Sequence, residues 1–490
     1  MTTAAPAEPA VAANPRRPLR VVMFVYNDVT RDSRVLREAA ALAAAGHDVT
    51  IVGRPRDPDD LEIRTEQRDD FRIIRVPVPR GWRIWQRRFR RPWRTFKWIR
   101  WRMSTALKQG PRGFPAVALF VVIAIGMALL TVVRWPLSLI PRPQRESPHR
   151  NSAWDWLTRW RFSVLGWAQL TAEAAPAADV YHGHDLTGLP GAVRAQAIHG
   201  GVVVYDSHEL FLESGSNASR PRWAKWIIGR LERSLARRAT ALVTVNRTLG
   251  RLLEERLSIS RVVVVHNCPP RWEPPAIASD PLRPAAGLAP GTPVVLYHGG
   301  FTRDRGLLEL ADAMLEPGLE RTHLILLGFG PLEETLKERA RETRAGGRIH
   351  VLPAVPPDEL AAWVAAADVG AMPNQPRTAN ERLSTPNKLF ESLAVGLPVV
   401  SSDFPERRAI VIDDPDGPLG AVCDPTDTAS IAAAIRSIVD LEPDARDGLR
   451  ARCLRAAHLR WNWETESARL VGLYDSLGDE MARPRTATGG

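Results

Sequence analysis

The sequence predicts an α/β protein with two domains, each built on a parallel sheet that is covered by helices on both faces. Two series of short apolar runs alternate with helix patterns, and residues 267–293, which hold eight prolines, separate the two series. The length of 490 residues exceeds one ordinary core. Because such sheets bind ligands beyond the carboxyl ends of their strands, we expect a cleft between the two domains.

The first series opens with a βαβ pattern. The apolar run Val21–Val25 predicts a buried strand, Asp32 and Ser33 can cap the helix that follows, and Val49–Val52 predicts the second strand. The same reasoning predicts a helix at Leu231–Ala239. Further strands are predicted at Ile73–Val78, 179–181, Val202–Tyr205, Ala241–Val245 and Val262–Val265.

The second series repeats this alternation after the proline-rich joint. Its predicted strands are Val294–Tyr297, Leu324–Leu327, Ile349–Leu352, Val369–Met372 and Pro398–Val400, with helices that include Leu307–Met314 and Pro331–Glu342. The predicted organisation is a disordered tail (1–17), a first Rossmann-like domain (18–272) with an insertion (80–167), a linker (273–293), a second Rossmann-like domain (294–463), a helix that can pack on either domain (464–480) and a tail (481–490).

The cysteine content and the distribution of charge indicate the compartment and the surface properties of the protein. The three cysteines form no CxxC pair, which argues against a disulfide framework or a structural zinc site and fits a reducing compartment. The net charge of +11 is concentrated, since residues 80–112 hold twelve Lys or Arg and no acidic residue. The basic character therefore belongs to one segment of the chain and not to the whole surface.

That segment predicts contact with a membrane. Residues 80–112 also carry five tryptophans, and residues 113–133 form an uncharged stretch of 21 residues, long enough to span a bilayer. Strands before and after the insertion belong to one sheet, so the chain must return to the same side. We favour a monotopic or re-entrant insertion, with 154–170 at the interface. The alternative is a buried helical hairpin. The uncharged stretch argues against nucleic acid as the partner.

The segment from Ser384 to Pro398 carries the most chemical information. Thr385 can cap a helix that begins at Pro386, and the free N–H groups of such a terminus favour a phosphate. Asn387 and Glu391 share one helix face, so the Glu391 carboxylate can accept hydrogen bonds from ribose hydroxyls. The alternative is an ordinary capped helix with a solvated glutamate.

This segment resembles the glutamate-signature helix of glycosyltransferase family 4, whose members are retaining enzymes with the GT-B fold. Five further stretches are similar to parts of that family and follow in the same order, and the resemblance covers most of the chain outside 80–167. They are the opening βαβ unit Arg20–Gly53 and the motifs His182–Asp185, Tyr205–Leu210, Tyr297–Gly306 and Leu327–Pro331.

The resemblance implies roles for individual residues. Glu391 matches the glutamate that binds the donor ribose, and Arg305 matches a basic residue that contacts the diphosphate. The family's other glutamate falls on Leu383, with Glu381 nearby but out of register. The family's other basic position falls on Gly300, so we expect Arg303 to substitute for it.

The resulting site has a catalytic set and a donor-binding set. His184, implied by the resemblance to lie near the reacting sugar, joins Arg305 and Glu391 in the catalytic set, while His182 and His208 are weaker candidates. Asp185 and Glu209 are candidates for positioning the acceptor. The donor-binding set is Gly299, Gly300, Arg303, Arg305, Gly328, Thr385, Asn387, Lys388 and Glu391. We expect no metal and no cofactor, and interpret Asp413–Asp416 as a polar turn.

The predicted function is retaining transfer of a sugar from a nucleotide-sugar donor to a lipid-linked acceptor at the cytoplasmic face of the membrane, in envelope or exopolysaccharide synthesis. The preferred acceptor is a polyprenyl-diphosphate-linked glycan, a preference that rests on the membrane prediction. Two alternatives remain open from the sequence: a nucleotide-sugar 2-epimerase of the same fold, and a membrane-bound scaffold that has lost catalysis.

Overall fold

The computed structural model describes residues 17–30, 32–57, 59–68, 70–79, 153–274, 279–342 and 345–483. Within these residues the chain forms two α/β domains, each organised around one sheet. The basic segment 80–112 and the uncharged stretch 113–133 lie outside the described residues, as do the ends of both predicted tails.

The first domain contains an eight-stranded sheet in the described part of the chain. Its strands are β1 (Arg20–Phe24), β2 (Asp48–Gly53), β3 (Arg64–Gln67), β4 (Arg72–Arg75), β5 (Val180–His184), β6 (Val202–Ser207), β7 (Ala239–Thr244) and β8 (Val262–Val264). They lie in the order β3-β4-β2-β1-β5-β6-β7-β8. The pairs are parallel except for β3 with β4, where the edge strand runs antiparallel. The predicted parallel core is confirmed.

Helices cover both faces of this sheet. They are α1 (Ser33–Ala44), α2 (Ala153–Arg159), α3 (Leu165–Ala174), α4 (Asp185–His199), α5 (Gly215–Ala218), α6 (Arg222–Ala236) and α7 (Arg247–Leu257), with a π-helical turn (Trp160–Val164) between α2 and α3. Asp32 caps α1 as predicted, since its carboxylate accepts the N–H of Val35. The predicted helix at Leu231–Ala239 is wrong at both ends, because α6 begins nine residues earlier and Ala239 already belongs to β7.

The helical stretch from α2 to α3 belongs to the core of the first domain. Trp156, Trp160 and Trp167 are buried in it, and the Trp167 indole donates to the carbonyl of Val76 at 2.9 Å. The predicted insertion boundary at 167 is therefore wrong, because the described residues from Ala153 onward already pack in the first domain. None of the described helices is both long and apolar enough for a membrane crossing.

The second domain contains a six-stranded parallel sheet in the order β11-β10-β9-β12-β13-β14. Its strands are β9 (Val294–Gly300), β10 (His323–Phe329), β11 (Ile349–Leu352), β12 (Val369–Met372), β13 (Val399–Ser402) and β14 (Gly420–Cys423). Its helices are α8 (Leu282–Ala285), α9 (Leu307–Ala313), α10 (Glu333–Arg341), α11 (Leu360–Ala365), α12 (Ala379–Leu383), α13 (Asn387–Ala394), α14 (Pro405–Val411), α15 (Thr428–Val439) and α16 (Pro443–Leu459).

The last helix, α17 (Trp463–Ala482), returns to the first domain. Leu470, Leu473 and Leu477 are buried in the same cluster as the side chains of α1 and β1. Tyr474 places its hydroxyl 2.6 Å from Nδ1 of His182. The question that the sequence left open is thus settled in favour of the first domain. The predicted tail at 481–490 begins too early, because the helix continues to Ala482.

Candidate active site

A cavity of about 530 Å³ lies between the two domains at the carboxyl ends of their strands. The first domain contributes His208 and Glu209 to its wall. The second domain contributes most of the remaining wall: His298, Gly299, Gly300, Arg305, Asn380, Glu381, Ser384, Thr385, Pro386, Asn387, Lys388 and Glu391. The predicted cleft is therefore present, and it gathers most of the predicted donor-binding residues.

The glycines that end β9 line this cavity. Gly299 has a φ of 119°, a conformation that favours glycine. Gly328 supports the loop from behind, because a Cβ there would stand 1.9 Å from the carbonyl oxygen of Gly299. Gly299 and Gly300 thus line the cavity as predicted, whereas Gly328 shapes the loop and is not part of the wall.

Arg305 brings positive charge to the cavity from a short 3-10 turn, Arg303–Arg305. Its guanidinium is partly buried, with Nε 3.7 Å from Oδ2 of Asp304 and Nη1 4.0 Å from Oε2 of Glu381. Arg303, on the same turn, is exposed and does not line the cavity. The expectation that Arg303 replaces the basic group missing at Gly300 disagrees with this placement.

Lys388 is a second basic residue that lines this cavity. Its Nζ lies 3.8 Å from the centre of the Tyr297 ring and 3.2 Å from the position that a Cβ on Gly299 would take. Desolvation lowers the pKa of Lys388 to about 7, and the neighbouring charge of Arg305 acts in the same direction. The absence of a side chain at Gly299 therefore leaves room for a second basic group that comes from a different element.

The start of α13 points at the same cavity. The helix begins at Asn387, so Pro386 is the N-cap residue and the predicted cap at Thr385 is wrong by one position. The Thr385 hydroxyl instead accepts a hydrogen bond from the Asn246 amide of the first domain at 3.3 Å. No side chain caps the helix. Its terminal dipole therefore favours an anion in the cavity, as the sequence predicted.

Glu391 lies one turn into this helix. Its Oε2 atom is 2.9 Å from Nε2 of His298, the last buried residue of β9. Burial alone would raise the pKa of Glu391, but the hydrogen bond and charge of His298, together with Lys388, lower it below its usual value. The carboxylate therefore stays ionised and can accept hydrogen bonds. His298 lies in the motif Tyr297–Gly306, but no role for its side chain was predicted from the sequence.

The missing signature glutamate is explained by contact between the domains. Leu383 packs against the hydrophobic core of the first domain, and its carbonyl accepts the Asn246 amide at 2.7 Å. Glu381, two residues earlier, lines the cavity beside Arg305. Burial raises the pKa of Glu381 above its usual value. The structure thus supplies a second carboxyl group to the cleft, out of register with the family signature.

His184 is placed differently from the prediction. Its side chain is fully buried and lines neither the main cavity nor a smaller cavity next to it. It lies behind His208, with 3.3 Å between His184 Nδ1 and His208 Nε2, and it stacks on His182. His208 lines both the main cavity and an adjoining cavity of about 470 Å³. The imidazole that faces the cleft is therefore His208, which the sequence ranked lower.

The buried side chains behind His208 form a charge network. Donor atoms of Glu38, His182, His184 and Asp206 lie within 4.8 Å of one another, a spacing that a metal ion can use. Arg34 already contacts Glu38 at 2.9 Å and Asp206 at 3.2 Å. Its guanidinium therefore supplies the positive charge that the two carboxylates require. Burial raises the pKa of Glu38 to about 7 in spite of this contact.

His208 gives the network a predicted pH dependence. It lies 3.0 Å from Asp206 and 3.4 Å from Asp185, a residue held at a φ of 53°. Burial would lower the pKa of His208, but these two carboxylates raise it well above its usual value. The stabilisation should be complete below the unfolded-state pKa of about 6.5 and be lost as the pH rises through the raised value.

His208→Gln is accordingly expected to reduce the free energy of unfolding by about 1.5–3 kcal/mol at pH 6 and by less at pH 10. Denaturant unfolding of both proteins at the two pH values measures this difference. The exposed His199 at the end of α4, changed to Gln, is the control. An equal loss at both pH values would show that His208 is not held protonated.

The fold and the cleft define an α/β protein of the GT-B type, with two Rossmann-like domains that face each other. Residues 292–440 match the family model for glycosyl transferases group 1, and residues 125–268 match that for a glycosyl transferase 4-like domain. The chain belongs to the family 4 type of glycosyltransferases and is a glycosyl-transferring enzyme.

Individual relatives agree with this assignment. The chain is 27% identical to glycogen synthase of Mycobacterium tuberculosis over 331 residues, which cover 63% of this chain and 71% of the relative. It is also similar to the GDP-mannose-dependent alpha-(1-6)-phosphatidylinositol monomannoside mannosyltransferase of Mycolicibacterium smegmatis. The two are 30% identical over 220 residues, which cover 43% of this chain and 56% of the relative. Sucrose-phosphate synthase of Thermosynechococcus elongatus has a similar fold, with a TM-score of 0.64 at 18% identity over 95% and 100% of the chains.

Proposed function

We propose that the enzyme transfers a sugar, with retention of its configuration, from a nucleotide diphosphate sugar to a membrane-associated acceptor. The observation that carries this proposal is the convergence of Arg305, Lys388, Glu391 and the start of α13 on one cavity. Two cations and a helix terminus match a diphosphate, and an ionised carboxylate one turn away matches ribose hydroxyls.

The donor is proposed to carry uridine or guanosine diphosphate. The HepE protein of Anabaena, solved in complex with UDP and glucose, has the same fold with a TM-score of 0.57, at 14% identity over 94% of this chain and all of that one. The mannosyltransferase relative is by its name GDP-mannose-dependent. These names support a nucleotide-sugar donor for the present chain and leave the base to experiment.

The residues of the cleft suit a reaction in which the departing diphosphate assists the attack. Arg305 and Lys388 offset the charge that develops on the diphosphate, and the positive end of the α13 dipole, at its uncapped N-terminus, adds to their effect. Glu391, oriented by His298, holds the ribose, while Glu381 faces the sugar from beside Arg305. Catalysis then depends on position and electrostatics, and we propose that neither a metal nor a cofactor takes part.

The acceptor is proposed to be a lipid-linked glycan, preferably on polyprenyl diphosphate, at the cytoplasmic face of the membrane in envelope or exopolysaccharide synthesis. The basic and tryptophan-rich composition of residues 80–112 supports a membrane surface, as does the uncharged stretch that follows. The second cavity supports an acceptor beside the donor, since it shares His208, Ser384, Thr385 and Asn387 with the first.

Transfer of label tests this proposal against an epimerase. Nucleotide sugars labelled in the sugar are incubated with the enzyme and a membrane lipid extract, and label is followed into the lipid fraction. Label in lipid supports the proposal. Release of free epimerised sugar with no labelled lipid would show an epimerase, and no turnover of any donor would show a scaffold.

Glu391→Gln tests the ribose contact. Loss of hydrogen bonds to a charged carboxylate is expected to weaken the binding of UDP or GDP about 10- to 100-fold, since such bonds contribute about 1.5–3 kcal/mol. The affinity for inorganic pyrophosphate, which has no ribose, should stay unchanged. Calorimetry measures both, with Glu334→Gln on the exposed first turn of α10 as control. Equal losses for both ligands would contradict the assignment.

A further inference from the structure

Helix α6 presents an unusual outer face to solvent. Trp223 is 44% exposed and Trp226 62% exposed, and Ile227 beside them is 41% exposed. Trp154 from α2 is 69% exposed and extends the patch, because its ring centre lies 5.3 Å from that of Trp223. The guanidinium of Arg230 lies over the Trp226 ring at 5.1 Å. These five residues are called the aromatic–basic face.

The inner side of α6 explains why this face points outward. Ala224, Ile228, Glu232 and Ala236 recur every four residues and are buried against the first domain. The helix therefore has a complete packing face without the tryptophans. Scattered exposed apolar side chains are normal, but three large indoles grouped on one surface mark a site of interaction.

Charge is also segregated around this helix. Residues 220–238 contain seven Arg or Lys and one acidic residue. That residue, Glu232, is buried, with Oε1 accepting the Tyr205 hydroxyl at 3.1 Å and Oε2 lying 3.4 Å from Arg256. Exposed arginines follow the tryptophans along the outer side at Arg230, Arg233 and Arg237. The solvent-facing side of α6 is therefore strongly positive as well as aromatic.

We propose that the aromatic–basic face is a docking surface for anionic lipid. Indole rings prefer the headgroup region of a bilayer, where the ring is in an apolar environment and the N–H is hydrated, and arginines attract anionic headgroups. A soluble anionic polymer would also match the positive charge, but it would not explain why the apolar side chain of Ile227 is exposed on the same face. The inference rests on the membrane part of the proposed function and adds to it a surface within the folded domain.

The basic segment of the same chain fits this surface poorly. Residues 80–112 contain twelve Lys or Arg and no acidic residue, so they would be repelled by it. Of the two described residues that flank 80–152, Ala153 begins α2, which carries Trp154. Pro79 lies beside α3, 3.2 Å from the position of a Cβ on Gly166. A single anionic surface can therefore attract both basic regions at once.

Sedimentation of the full chain with vesicles tests the proposal. One vesicle is phosphatidylcholine, and the other is an equimolar mixture with phosphatidylglycerol. Removing charges in Arg230→Gln/Arg237→Gln is expected to reduce binding to the anionic vesicle about fivefold per charge. Trp223→Ser/Trp226→Ser should reduce it further. Arg455→Gln/Leu459→Ser on α16, which removes one exposed charge and one exposed apolar side chain from the second domain, is the control and should bind like the wild type.

The outcomes separate this inference from the proposed function. Affinity for UDP or GDP should be unchanged in all variants, which shows that the fold and the cleft are intact. If the wild type binds anionic vesicles and the α6 variants bind equally well, the docking surface is wrong and the membrane proposal survives. If the wild type binds no vesicle, both fail. If the α6 variants lose affinity only for a single-stranded oligonucleotide, the partner is nucleic acid and the inference is overturned.

Discussion

Arg305→Ala is expected to lower kcat/KM for glycosyl transfer by about 100- to 1000-fold, the loss typical for removal of one preorganised group that stabilises developing charge. Arg305 projects into the cavity from the 3-10 turn after β9, and its guanidinium can bind two phosphate oxygens at once. The rate is measured with saturating and with limiting donor. Arg305→Lys should restore part of the rate, because it restores the charge without the planar pair of donors.

The same turn offers a matched control for this substitution. Arg303 precedes Arg305 by two residues, is exposed, and does not line the cavity. Arg303→Ala removes an equal charge and should leave transfer within about twofold, as expected for an exposed charge screened by salt. If both variants lost activity equally, the effect would come from the charge of the loop as a whole and the role of Arg305 would be refuted.

Lys388 is expected to take up a proton when the donor diphosphate binds. Desolvation lowers the pKa of the free side chain to about 7, and an adjacent diphosphate should raise it again. Affinity for UDP or GDP should therefore be highest below pH 7 and fall by up to about tenfold per unit as the pH rises above it. Calorimetry at pH 8 in buffers of different ionisation enthalpy measures the number of protons taken up, which should approach one.

Lys388→Met should abolish this proton uptake and flatten the dependence of affinity on pH. The control is Lys337→Met on α10, where the ammonium group is paired with Glu333 at 2.8 Å and lies outside the cavity. The same uptake in Lys388→Met as in the wild type would assign the proton to another group. No uptake in the wild type would show that Lys388 is already charged in the free enzyme.

Most of the fold follows from apolar periodicity. Continuous runs such as Val21–Val25 can only be buried on both faces, so they predict parallel strands reliably. The strands β3 and β14 were not predicted, and the reason differs between them. The sequence of β3 is polar and mostly exposed, and that of β14 is four residues long and opens with Gly420. Neither carries the pattern from which a strand is predicted.

The candidate site was predicted less completely because its geometry is set by neighbours distant in the chain. Glu391 and Arg305, which were selected from the sequence, both line the cavity. It could not show that Lys388 reaches the space left by Gly299, or that Leu383 is needed at the contact between domains. The sequence gives the order of residues along the chain, whereas these roles depend on distances between elements that are far apart in the sequence.

The first-domain histidines illustrate the same limit. His184 ends a buried strand, which suggested a position in the cleft, but the chain brings His208 over it from the end of β6. Asp206 and Asp185 hold His208 there. The sequence signal that could have pointed to His208 is its place directly after a strand that neighbours β5, with two carboxylates within reach.

Calorimetric titration of UDP and GDP into the wild type and into Arg305→Ala/Lys388→Met tests most directly whether the interdomain cavity binds the donor diphosphate. At least one nucleoside diphosphate should bind the wild type at one site per chain, and the double variant should bind neither measurably. Binding of equal strength to both proteins, or no binding to the wild type, would contradict the assignment of this cavity as the donor site.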